Sequence, residues 1–142
     1  MIGKRYRWFI VAAALAGCGT SELRPVELFP EDECAHCRMS VSDPKFASEI
    51  ITQNGEVFKF DDLSCLDKFR KHRNDQAIAA IFVKDFETTR WLRYEQSVII
   101  ETGIATPMGS GKIAVSGSER AAAVKQQFPA RSGSCEAGCC GS

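Results

Sequence analysis

The chain has 142 residues with basic and acidic side chains in equal number, 18 of each, and it carries seven cysteines and three methionines. That length suits one small domain or two very small halves, and without a basic surplus nucleic acid is not an expected partner. No Ser-His-Asp set, phosphate loop or nucleotide fingerprint stands in the sequence, so catalysis is not expected either.

In chain order, Lys4, Arg5 and Arg7 precede the apolar run Trp8 to Leu15, which is followed by Leu15-Ala16-Gly17-Cys18. A basic stretch, a short apolar core and small residues before a cleavage point make residues 1–17 a predicted secretory signal peptide, too short to span a bilayer. Leu-Ala-Gly-Cys has the form of a bacterial lipobox, in which Cys18 becomes the lipidated N-terminus and carries acyl chains such as palmitate. Removing residues 1–17 takes away three basic and no acidic side chains, leaving 15 basic against 18 acidic, a net charge of −3. The expected location is the cell envelope, anchored by lipid on the periplasmic side, and Gly19 in place of an Asp favours the outer over the inner membrane.

Residues 18–33, with Pro25, Pro30 and the acidic Glu31-Asp32-Glu33, read as the lipidated Cys and a tether. The predicted domain spans 34–128. Phe46 to Thr52 is strand-like, Asn54-Gly55 is a hairpin turn, and Val57 to Phe60 returns as a second strand. Asp61 or Asp62 stands where a helix N-cap is wanted, and Leu63, Leu66 and Phe69 carry the helix toward His72. Ala77 to Val83 is a buried strand. A similar order follows: a strand at Ser97 to Glu101, a Gly- and Pro-containing loop, a strand at Lys112 to Val115, then a capping box at Ser116 to Glu119 opening a helix to Phe128. The predicted fold is α+β, built from two small ββαβ-like units whose parallel order suggests duplication. Residues 129–142, rich in Gly, Ser, Ala and Cys, form an expected flexible tail.

Chemistry concentrates in Cys34-Ala35-His36-Cys37-Arg38-Met39, which sets two thiols and a thioether within six residues. Soft sulfur donors select Cu(I) over hard cations. Met108, in a Gly-Ser-Gly loop, is a further thioether candidate. Cys65 and His36 are secondary candidates, since Cys65 also reads as a packing thiol and His36 lies between residues that face other ways. Three alternatives stay open: a Cys34–Cys37 disulfide, a zinc knuckle completed by Cys65 and a His, and a thiol-disulfide redox pair. A non-metal scaffold of a membrane complex is a further one. Cys135, Cys139 and Cys140 are predicted to form an auxiliary copper-scavenging or disulfide-forming arm. Asp61-Asp62 reads as helix capping, His72 as a solvated helix end, and Trp91 as core or cation–π packing.

Cys34-x-x-Cys37-x-Met39, the Asp43 to Phe46 approach to the first strand, Asn54-Gly55, Phe60-Asp61-Asp62 with Cys65-Leu66, and Thr106-Pro107-Met108-Gly109 together resemble the NosL family, copper-chaperone lipoproteins linked to assembly of nitrous-oxide reductase. The resemblance covers residues 30–128. It implies a Cu(I)-binding lipoprotein of two ββαβ-like halves, treble-clef-like as in part of organomercurial lyase. It implies as partners the nitrous-oxide reductase apoprotein and an ABC-type membrane complex. Cys34, Cys37 and Met39 match the family's soft-ligand motif, and Met108 matches the Met of its Pro-Met-Gly loop. The Cys-rich ending is not part of that pattern.

Overall fold

The computed structural model describes residues 22–73 and 77–130. The expected signal peptide, the lipid site Cys18 and the tail thiols Cys135, Cys139 and Cys140 lie outside the described residues.

Alternating side chains and the Asn54-Gly55 turn, with Gly55 at φ 87°, close β1 (Ser48–Thr52) onto β2 (Val57–Phe60) in antiparallel register, Ser48 facing Phe60. α1 (Leu63–His72) follows, then β3 (Ile78–Lys84), which pairs antiparallel with the other edge of β1. β4 (Trp91–Arg93) adds an edge strand, giving a four-stranded sheet in the order β2-β1-β3-β4. Its ring packing matches the expectation for Trp91, although the cation over the indole is Lys84, 4.2 Å from the ring centre. β5 (Val98–Glu101) and β6 (Lys112–Val115) make a separate two-stranded sheet, and α2 (Ser118–Gln127) packs on it. The first unit is thus ββαβ with an added edge strand, and the second repeats the strand, strand, helix order.

The capping box at Ser116 to Glu119 does not form. The N-cap of α2 is Gly117 at φ 89° and no side chain caps the helix. Ser116 instead donates its N–H to the buried Asp85 carboxylate at 3.1 Å, tying β6 to the end of β3.

The two faces of the larger sheet carry different cores. Ile50, Ile81 and Val83 face α1 with Phe60, Leu66 and Phe69, while Ile51, Ala80 and Phe82 face away and pack with Trp91. Glu49 shares that second face with Lys59 and Lys84 and is fully buried. Residues 22–33 differ from a free tether. Val26 donates its N–H to Glu49 Oε1 at 2.9 Å, Lys59 bonds the Glu27 carbonyl at 2.7 Å and pairs with Asp32 at 2.6 Å, and Leu28 packs against the main core. Burial alone would raise the Asp32 pKa, but Lys59 and the Phe29 N–H outweigh it and hold the carboxyl below its ordinary range. The segment has no regular structure because its two prolines deny it a ladder, yet its side chains find a buried face.

Candidate metal centre

The Cys-x-x-Cys loop is clipped to β2. Glu33 and Ser40 form an antiparallel bridge, Cys34 N–H donates to the Met39 carbonyl at 2.7 Å, and Ala35 N–H donates to the Lys59 carbonyl at 2.8 Å. Arg38 adopts a left-handed φ of 66°, which turns its N–H onto the Cys34 carbonyl at 3.0 Å. This fold-back buries Cys34 completely and leaves Cys37 half-buried.

β2 delivers the other half of the site. After Phe60 the chain places two buried aspartates at the start of α1. Asp62 is the N-cap, accepting the Ser64 N–H at 2.7 Å. Asp61 has no share in that cap and its carboxylate turns to the thiols, accepting from Cys37 Sγ at 3.5 Å on both oxygens. Cys65, in the first helical turn, lies on the buried face with Leu66 and Phe69. One ligand atom each from Cys34, Cys37, Asp61 and Cys65 all fall within 4.8 Å of one another, and the three cysteines are free thiols.

These residues fit a bound ion. Thiolate–metal bonds of about 2.3 Å set sulfur atoms about 3.8 to 4.0 Å apart around a tetrahedral or trigonal ion, so the group closes on one with little movement. Before binding, the buried thiols are held neutral. Burial raises the Cys34 pKa, outweighing the backbone groups of Cys37, Asp61 and His36 that favour its thiolate. Burial also raises the Cys65 pKa, with Cys34 and Asp61 adding to it, even though a helix N-terminus by itself favours thiolate. An incoming ion therefore displaces protons.

The remaining candidates fall around this core. His36 is outside the four-residue group, and its ring lies parallel to that of His72 with centroids 6.3 Å apart. Met39, in the clipped loop, is 54% exposed. Met108 is 38% exposed, and its backbone N–H donates to Asp62 Oδ2 at 3.1 Å, which holds its loop against the start of α1. Sequence reasoning missed Asp61, reading both aspartates as capping. The available signal was the redundancy: a helix has one N-cap, so two aspartates leave one carboxylate free.

A family model described as NosL matches residues 25–131. No curated protein matches the chain. Among solved structures, the crystal structure of the copper chaperone NosL from Shewanella denitrificans is similar, with a TM-score of 0.65 over 76% of this chain and 90% of that one. The identity is 15%, so this likeness bears on the fold.

Proposed function

Since the chain belongs to the NosL family, we propose that it is a copper chaperone, taking up Cu(I) as cargo and delivering it for metallation of nitrous-oxide reductase. The observation that carries the reading is the convergence of three thiols at one point, with the exposed Met39 and Met108 on segments whose backbones are hydrogen-bonded to Cys34 and to Asp62. Cys34 and Cys37 bind as thiolates, Cys65 stands as a third sulfur, and Met39 and Met108 supply neutral thioether donors at the exposed side. Soft donors of this kind select Cu(I). A carrier must also release its ion, and weak thioether ligands near the surface are the ones a recipient's ligands displace first. Lipidation of Cys18 would hold the protein on the periplasmic side of the envelope, where an ABC-type membrane complex and apo-reductase are the partners this role requires.

The deciding experiment is anaerobic Cu(I) titration against a chromogenic competitor. The expected result is one tightly bound ion in the wild type and its loss when Cys34→Ser, Cys37→Ser and Met39→Leu are combined. Unchanged affinity and stoichiometry in that variant would overturn the reading. A dithiol exchange role for Cys34 and Cys37 needs a depressed thiol pKa, and burial drives Cys34 in the opposite direction.

One observation favours a second cargo. With Asp61 in the group, three thiols and a carboxylate also make a tetrahedral zinc set. Competition between Zn(II) and Cu(I) at equal concentration separates the two: copper displaced by zinc would make zinc the cargo, and retained copper supports the chaperone.

A further inference from the structure

We propose that Asp62 is a positioning residue that holds the Met108 thioether ready at the thiol centre. The inference rests on the copper reading above.

Asp62 is fully buried and its carboxylate joins two parts of the chain that are far apart in sequence. Oδ1 accepts the Ser64 N–H at 2.7 Å, in the first turn of α1 beside Cys65, and also the Ser110 hydroxyl at 2.7 Å, 48 residues on. Oδ2 accepts the Met108 N–H at 3.1 Å. Capping the helix needs only one oxygen. The other contacts grip the loop that carries Met108. Within that loop, the Thr106 and Ser110 hydroxyls pair at 3.2 Å, Gly111 N–H donates to the Thr106 hydroxyl at 3.2 Å, and Gly109 N–H returns to the Thr106 carbonyl at 2.9 Å. The loop is therefore closed on itself, and the Asp62 carboxylate ties it to the helix that bears Cys65.

This matters because a thioether is a weak donor. If Met108 had to be ordered at the moment of binding, the ordering entropy would consume much of what its sulfur contributes. A carboxylate buried against three donors supplies that order beforehand, and outer partners of this kind are worth 10- to 100-fold in metal affinity.

The test uses the full chain carrying Met39→Leu and grown on selenomethionine, so that Met108 becomes the selenium reporter of the domain. After loading with one equivalent of Cu(I), absorption at the selenium edge should show copper–selenium scattering. Asp62→Ser keeps an N-cap oxygen but is too short to reach the loop, and it should abolish that scattering and lower Cu(I) affinity roughly 10- to 100-fold. Asp62→Asn should recover part of both, and Ser110→Ala, which spares the cap entirely, should weaken both. Adding Met108→Leu to Asp62→Ser should cost nothing further, because both act through one sulfur. Undiminished scattering in Asp62→Ser, or none in the parent protein, overturns the proposal while leaving the thiol centre standing. A wild-type chain, with Met39 intact, that binds no Cu(I) at all overturns the copper reading itself.

Discussion

Cys65 answers two demands at once: it is buried in the main core with Leu66 and Phe69, and it presents a sulfur to the group formed with Cys34, Cys37 and Asp61. Those roles separate under substitution. Cys65→Ala should weaken Cu(I) binding at least about tenfold in a competition titration, as expected for a lost ligand, while a pure packing role would change the unfolding midpoint alone. Glu49 gives a second residue-scale prediction. Burial raises its pKa above the ordinary 4.5, and Val26, Lys59 and Lys84 only partly oppose this. The folded state thus binds more protons than the unfolded chain, so stability falls as pH rises from about 4.5 through the folded pKa. Asp32, Asp62 and Asp85 have lowered values and act below 3.8, where their stabilisation is lost on acidification. The two windows do not overlap. Glu49→Gln should therefore flatten the thermal midpoint above pH 4.5 without altering the acid limb, and an unchanged slope would dismiss Glu49 as its source. The Cys34 and Cys37 pair was legible from spacing alone. Asp61 was not, because an acid before a helix is ordinarily a cap and only the fold shows which of two neighbours does the capping.

Among the elements, the loop between β5 and β6 is the most constrained. Gly111 sits at φ 66°, and a Cβ there would lie 2.3 Å from the Thr102 carbonyl oxygen. Gly109, at φ 68°, has open space around it. Gly111→Ala should cost about 3 kcal/mol or more in denaturant unfolding and Gly109→Ala about 1 kcal/mol, because the first adds a backbone clash to the same left-handed strain. Equal costs would mean that the loop relaxes freely. The longer elements were legible in sequence because their periods and turn residues agree: Asn54-Gly55 fixes one hairpin, and the spacing of Leu63, Leu66 and Phe69 fixes α1. β4 was not legible. Three residues carry no period, and Trp91 to Arg93 become a strand only because the β3 edge offers them a ladder. The capping box failed for a related reason: Asp85, distant in sequence, competes for the Ser116 N–H and draws that residue out of the helix start.

At the scale of the whole molecule, residues 22–33 belong to the fold. Their prolines and acids read as a linker, and only the buried Glu49 and the free face of β1 and β2 make them structural. Val26→Pro would remove the N–H donor to Glu49 and leave a buried oxygen unpartnered, so it should destabilise the protein by about 1 to 3 kcal/mol by chemical denaturation. A true linker would tolerate it without change. The other end of the chain should behave differently. Truncation after Ala130 should leave the thermal midpoint nearly unchanged, since Phe128 already closes the fold by accepting the Gly103 N–H at 3.2 Å, and a large drop would give the tail a structural role. Docking of the N-terminal segment also sets a leash. Were Cys18 the lipid anchor, the first described hydrogen bond from this segment to the sheet, at Val26, would lie eight residues on, a reach of at most about 29 Å. The domain would then stay within about one domain diameter of the bilayer that carries it, so a soluble recipient would have to come to the membrane surface to be loaded, and the concentration that governs transfer would be the one at that surface.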